Sequence, residues 1–150
     1  MGRIVVGVDG SRHSLVALEW ACREAELRHD SLELVSAWSI SAVSSAGASQ
    51  EVVEVLEAAA QEAVESGRQR ATQLAPGIEV STRVYRGQPA RVLVERAAGA
   101  DLLVVGSRGL GEFKALLLGS VSQECSQHSP VPVVIVRDQE DARTPGAPPG

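Results

Sequence analysis

Short, uninterrupted apolar runs separated by helix-like segments constrain the fold most strongly. The interiors of RIVVGVD (Arg3–Asp9) and DLLVVG (Asp101–Gly106) contain no polar residue, which is typical of strands that are buried on both faces. Three further strand patterns are present, at Leu32–Ala37, Ile78–Arg86 and Pro132–Val136. Strands of this kind lie parallel and are joined by crossover helices, so the sequence predicts an α/β protein.

The segments between these strands have apolar residues at helical spacing. The predicted helices are Ser11–His29, Gln50–Ala75, a segment from Pro89 to about Ala98, and Ser120–His128. In the longest one, Val52, Val55, Leu56 and Ala59 are expected to face inward. Strict alternation of five strands and four helices predicts a three-layer, doubly wound parallel sheet in one domain, residues 1–137. The polar, proline-rich residues 138–150 are expected to form a disordered tail.

Composition excludes several classes of partner. The 150 residues carry a net charge of −5, and an acidic domain without a Lys/Arg block is not expected to bind nucleic acid or an anionic membrane. No apolar run approaches the roughly 20 residues of a membrane span. Cys22 and Cys125 are expected to be buried, unpaired thiols, and the chain is predicted to be cytoplasmic.

The segment GSRGLGEFKALLLGSVS, residues 106–122, carries the strongest chemical signal. Gly106 and Gly109 follow a buried strand, where glycine lets the backbone approach a ligand closely. Gly119 and Ser120 open a helix, whose first N–H groups and positive dipole end favour an anion. The hydroxyls of Ser107, Ser120 and Ser122 would add donors, so the pattern indicates a phosphate site between the loop and the helix.

Simpler explanations account for these residues equally well. Ser120 followed by Gln123 fits a capping box, which would satisfy the helix end without any ligand, and glycines after a strand are common in turns. Neither a Walker A loop nor a Rossmann glycine motif is present. His13, His29 and His128 have no Ser or Asp partner in a triad-like order, so no catalytic residue is assigned.

Together with four surrounding segments, the glycine pattern resembles the universal stress protein family over residues 3–137. Gly106, Gly109, Gly119 and Ser120 match every fixed position of G-x2-G-x9-G-[ST], which marks the ATP-binding branch of that family. IVVGVDGS, GQPA, DLLVVGSRG and HSPVPVVIVR match in kind and order. The resemblance implies strand order 3-2-1-4-5 and binding of an adenine nucleotide, ATP with Mg²⁺.

The resemblance also implies roles for particular residues. Asp9 would lie near the ribose and phosphates and hold the Mg²⁺, or else form an Asx turn, and both roles are compatible. The backbone of Ala37 would contact the adenine, and Arg108 would pair with a phosphate or lie in solvent. The remaining expected contacts are Val105, Gly106, Gly109, Gly119, Ser120, Val121 and Ser122.

Three functions and one assembly follow from the resemblance. The first function is a nucleotide-dependent stress-response or signalling module, the second a slow ATP hydrolase, and the third a nucleotide-free interaction protein working through its dimer surface. The last apolar strand, Val131–Val136, would pair with its own copy in a homodimer. A further protein partner is not identified by the sequence.

Overall fold

The computed structural model describes residues 1–40, 49–109 and 118–138. Nine elements alternate along the chain, close to the predicted bounds. They are β1 (Arg3–Gly7), α1 (Arg12–Arg28), β2 (Ser31–Trp38), α2 (Gln50–Leu74), β3 (Val80–Arg86), α3 (Pro89–Ala97), β4 (Leu102–Gly106), α4 (Ser120–His128) and β5 (Val133–Val136).

The five strands form one parallel sheet in the order β3-β2-β1-β4-β5, which confirms the predicted order. On the central strand, Val6 lies opposite Leu34 of β2 and Val104 of β4. Because all strands run in the same direction, their carboxyl ends meet at one edge of the sheet. Ligands of doubly wound proteins bind at this edge, beside the strand where the order reverses, which is β1 here.

Helices cover both faces of the sheet and divide the core into two clusters. On one face, α1 and α2 pack against Ile4, Val6 and Val104, with the side chains of Leu18 and Val64 in the same cluster. On the other face, residues of α3 and α4, including Leu93 and Cys125, pack against Val5, Leu103 and Val105. The alternating direction of side chains along each strand supplies both clusters, so the apolar strands of the sequence are buried on both faces as predicted.

Helix α2 differs from the prediction in the face that it buries. Its buried positions are Ala60, Val64, Gly67 and Ala71, whereas Val55 is 67% exposed and Ala59 is also exposed. Val52 and Leu56 are half-buried. The inward stripe therefore runs from Val52 through Leu56 to Ala60, and the assignment of Val55 and Ala59 to that face was wrong.

The last described residue extends the folded part of the chain beyond β5. Asp138 is 6% exposed, and its Oδ2 lies 2.7 Å from Nε of Arg12, in the first turn of α1. This ion pair ties the end of β5 to α1. Residues 139–150, the rest of the predicted tail, lie outside the described residues. Across the described part of the chain, no helix is both long and apolar enough to span a bilayer.

Candidate functional site

A cavity of about 600 Å³ opens at the carboxyl edge of the sheet. The ends of β1, β2 and β4 form its floor, and the first turns of α3 and α4 form its walls. All ten residues singled out from the sequence line this one cavity: Asp9, Ala37, Val105, Gly106, Arg108, Gly109, Gly119, Ser120, Val121 and Ser122. Positions up to 113 residues apart, from Asp9 to Ser122, are thus brought together by the strand order.

Two glycines of the motif lie where a side chain would collide with neighbouring atoms. A Cβ on Gly106 would be 2.6 Å from the carbonyl oxygen of His13, in the first turn of α1. A Cβ on Gly109 would be 2.7 Å from Oδ2 of Asp9. Glycine at 106 therefore lets α1 approach β4, and glycine at 109 leaves room for the Asp9 carboxylate beside the loop.

The Asp9 carboxylate is held by the turn that joins β1 to α1. Its Oδ1 accepts a 2.9 Å hydrogen bond from the N–H of Ser11, which is the Asx turn expected from the sequence. The N–H of Asp9 donates to Oγ of Ser14 at 3.3 Å. Gly10, between them, has φ of 84°, a conformation that glycine adopts without strain. The turn fixes Oδ1 and leaves Oδ2 beside Gly109.

Helix α4 begins at the cavity without a side-chain cap. Its N-cap is Gly119 and Ser120 is the first helical residue, so the capping box proposed for Ser120 and Gln123 was wrong. The side-chain amide of Gln123 instead donates, through Nε2, to the carbonyl oxygen of Leu118 at 3.2 Å. Because the N-cap residue is glycine, it offers no side-chain acceptor to the first turn of α4, and the start of this helix, which lines the cavity, is a place that favours an anion.

The serines of the motif divide between structure and cavity. Oγ of Ser122 is buried and lies 3.1 Å from the carbonyl oxygen of Ser107 and 2.9 Å from that of Gly119. Its hydroxyl therefore ties the start of α4 to the end of β4, although the residue also lines the cavity. Ser107 is 1% exposed and does not line it, so the prediction of Ser107 as a ligand donor was wrong. Ser120 is exposed at the cavity wall.

Sequence reasoning missed the wall formed by the start of α3. This wall and the neighbouring surface contribute Gln88, Pro89, Ala90, Arg91 and Leu93, and α4 adds Glu124. A signal for the wall was present, because Pro89 occupies the first position of a helix that follows directly after a parallel strand. Such a helix necessarily starts at the carboxyl edge of the sheet, where the glycine loop also lies.

Charges in the cavity balance one another. The charged side chains that line it in the described part of the chain are Asp9, Arg91, Arg108 and Glu124, two of each sign. No group of three or more His, Cys, Asp or Glu side chains among these described residues forms a metal site. A carboxylate such as Asp9 would hold a divalent cation together with ligand phosphates, which is the ordinary coordination of Mg²⁺ by one or two carboxylates and a nucleotide.

Comparisons of sequence and of fold with known proteins identify one protein family. The universal stress protein family model matches residues 1–137. Universal stress protein Rv2623 of Mycobacterium tuberculosis is 36% identical over 140 residues, which are 90% of this chain and 45% of that protein. The chain spans about half the length of the curated relatives that it matches.

Two solved structures show the fold. The universal stress protein UspA from Lactobacillus plantarum superposes with a TM-score of 0.76 at 24% identity, covering 91% of this chain and 97% of that one. A universal stress protein in complex with cAMP superposes with a TM-score of 0.66 at 30% identity, covering 90% and 96%. Because the family match spans all nine helices and strands described above, the chain belongs to the universal stress protein family.

Proposed function

We propose that this protein binds ATP with Mg²⁺ in the cavity and acts as a nucleotide-dependent module in stress response or signalling. The observation that carries the proposal is the convergence of Gly106, Gly109, Gly119 and Ser120 on one cavity beside the uncapped start of α4. Its volume of about 600 Å³ falls within the range of about 300–1,000 Å³ typical of small-molecule sites. Family membership supports the assignment to stress response.

The residues present fit such a ligand. The N–H groups at the start of α4 and the Arg108 guanidinium would hold the phosphates, while Asp9 would bind Mg²⁺ through Oδ2. Bound Mg²⁺ would neutralise phosphate charge that otherwise repels Asp9. Apolar side chains, among them Val35, Leu93 and Val105, line the same cavity and offer a surface for a purine, with the backbone of Ala37 at its edge.

Adenine nucleotide binding by a relative supports the ligand class. One solved universal stress protein that is 30% identical to this chain was obtained in complex with cAMP. The preference for ATP over other adenine nucleotides is our proposal from the glycine motif of this chain.

Hydrolysis of ATP is expected to be slow. Fast hydrolysis needs a group that orients the attacking water. Two carboxylates of the described residues line the cavity, Glu124 on α4 and, beside Gly109, Asp9. One oxygen of Asp9 already accepts the Ser11 N–H. We therefore propose a binding module rather than an ATPase, and steady turnover at the rate of an ordinary kinase would contradict this choice.

Strand β5 supports the proposal of a homodimer. It occupies an edge of the sheet, and all four of its residues, Val133–Val136, are only half-buried in the monomer. Pairing with the same strand of a second copy would cover this edge and bury its apolar side chains. Sedimentation at micromolar concentration should give twice the monomer mass, and a monomer would contradict the proposal.

Calorimetric titration with ATP and Mg²⁺ tests the ligand. We expect the wild-type protein to bind in the micromolar range, about −8 kcal/mol. Gly109→Ala should weaken ATP binding about tenfold or more, because the added methyl group would lie 2.7 Å from Oδ2 of Asp9 and displace the carboxylate into the cavity. Gly77→Ala is the matched control, since a Cβ there has nothing within 4 Å and Gly77 does not line the cavity.

Three outcomes of this titration are informative. Loss of affinity in Gly109→Ala alone supports the glycine loop as the site. Equal affinity in all three proteins would place the nucleotide elsewhere. Absence of binding by the wild-type protein would overturn the proposal and leave the edge of β5 as the functional surface to examine.

A further inference from the structure

Two charged side chains that line the cavity, Arg91 and Glu124, belong neither to the glycine motif nor to the Asp9 turn. Arg91 is the third residue of α3, and Glu124 is the fifth residue of α4. Both line the cavity and both are exposed. Neither is needed to build the fold, because the buried residues of these helices are others, such as Leu93 and Cys125. Their placement on two neighbouring helices brings both side chains to the same cavity.

The two helices that carry these side chains are not equivalent as phosphate sites. Both start at the cavity without a side-chain cap, but the first residue of α3 is Pro89, which has no N–H to donate. Gly119, the last glycine of the motif, is the N-cap of α4, whereas the N-cap of α3 is Gln88. Phosphates are therefore expected at Arg108 and the start of α4, while the wall at Arg91 is left for another part of the ligand.

Glu124 lies beyond the expected phosphate position along α4. It lies four positions after Ser120, a distance of about 6 Å along the helix axis. A carboxylate repels phosphate when no cation lies between the two groups, so Glu124 is expected to face a part of the ligand other than the phosphates. A carboxylate at this place matches instead the hydroxyl donors of a ribose, as carboxylates do in other nucleotide sites.

We propose that Glu124 accepts hydrogen bonds from the ribose hydroxyls of the nucleotide and that Arg91 donates to its nucleobase. This inference rests on the proposed function and adds to it the residues that recognise the nucleoside. The apolar side chains of Ala90 and Leu93 lie on the same helix as Arg91 and line the same cavity, so a base stacked on them would present its edge to the guanidinium. Ring nitrogens and carbonyl groups of bases are acceptors that arginine recognises well.

Inorganic tripolyphosphate separates the two parts of the ligand, because it has the phosphates of ATP and no nucleoside. We would measure the rise of Tm with ligand concentration for ATP and for tripolyphosphate, each with Mg²⁺, since this rise yields Kd values into the millimolar range. Arg91→Ala and Glu124→Ala should each weaken ATP binding about tenfold, and should leave tripolyphosphate binding unchanged within twofold.

The control variants remove the same types of charge from exposed positions away from the cavity. Glu95→Ala removes an exposed carboxylate from α3, and Arg23→Ala removes an exposed guanidinium from α1; neither residue lines the cavity. Both variants should bind ATP like the wild-type protein. If they lost affinity to the same extent as Arg91→Ala and Glu124→Ala, the loss would not depend on the position of the side chain at the cavity, and the proposal would be wrong.

A second ligand pair tests the role of Glu124 alone. The compound 2′,3′-dideoxy-ATP lacks both ribose hydroxyls, so Glu124→Ala and the wild-type protein should bind it with the same affinity. For ATP, the affinity of Glu124→Ala should be about tenfold lower than that of the wild-type protein. Equal losses for ATP and its dideoxy analogue would overturn the assignment to ribose.

The outcomes separate this inference from the proposed function. If tripolyphosphate binding falls as far as ATP binding, Arg91 and Glu124 act on the phosphates and the inference is overturned. If ATP binds and both alanine variants retain full affinity, the inference fails while the proposed function stands. If the wild-type protein does not bind ATP at all, the proposed function itself fails.

Discussion

Replacing Gly106 with alanine tests whether close approach of α1 to β4 holds the glycine loop in place. The added Cβ would lie 2.6 Å from the carbonyl oxygen and 2.7 Å from the carbonyl carbon of His13. These are backbone atoms, so no rotation of a side chain relieves the contact. To pass from 2.6 Å to the 3.4 Å of ordinary contact, the two elements would have to separate by about 0.8 Å.

The cost of this separation is expected to be about 2 kcal/mol of unfolding free energy. Inserting a methyl group into a well-packed site costs about 1–3 kcal/mol, and α1 cannot move freely, because Ala17, Leu18 and Ala21 are buried in the core. The φ angle of Gly106 is not positive, so the cost comes from crowding rather than from backbone conformation. A loss of about 2 kcal/mol corresponds to a fall in Tm of roughly 4–8 °C for a chain of this size.

Urea unfolding at constant protein concentration measures this difference, with Gly77→Ala as the control. A Cβ on Gly77 has nothing within 4 Å, and the φ angle of Gly77 is not positive. That substitution should therefore leave the protein as stable as the wild type or stabilise it by about 0.4–1 kcal/mol. If Gly106→Ala were as stable as Gly77→Ala, the close contact with α1 would not constrain residue 106, and the reasoning would be refuted.

Two further predictions concern buried groups away from the cavity. Glu33→Ala should lower the unfolding free energy in urea by about 3 kcal/mol, because Glu33 is 3% exposed and pairs with Arg3 at 2.5 Å and with Arg96 at 2.9 Å. Burial raises the pKa of the Cys22 and Cys125 thiols from 9.0 to about 11. Thiols of the unfolded chain then ionise first, so the unfolding free energy should fall as the pH rises from 9 towards 11, as urea unfolding over that range would show.

Each of these has a control. Glu24→Ala removes a carboxylate from an exposed ion pair with Arg28 and should change stability by less than about 1 kcal/mol; a loss equal to that of Glu33→Ala would show that burial is not the cause. For the thiols, a double Cys22→Ala, Cys125→Ala variant should lose less stability between pH 9 and 11 than the wild type. An identical pH dependence would assign the change to other groups.

Much of the fold could be predicted from the sequence, since it depends on local patterns. The runs around Val5 and Leu103 identify strands that are buried on both faces, and the glycine motif marks the loop after β4. The buried face of α2 was harder to predict, because alanines and valines recur on several faces of this helix. The inward stripe through Ala60 is fixed by contact with the sheet, and no sequence window contains that contact.

The candidate site also contains residues that the sequence reveals and residues that only the tertiary structure places there. The types of residue beside the glycine loop, Gly106, Gly109, Gly119 and Ser120, are evident from the sequence, because close backbone approach and an open helix start demand particular residues at fixed spacing. Arg91 and Glu124 carry no such signal, since an exposed charged residue on a helix is usually solvated. Only the parallel strand order, which brings the starts of α3 and α4 to the same edge of the sheet, places both side chains at one cavity.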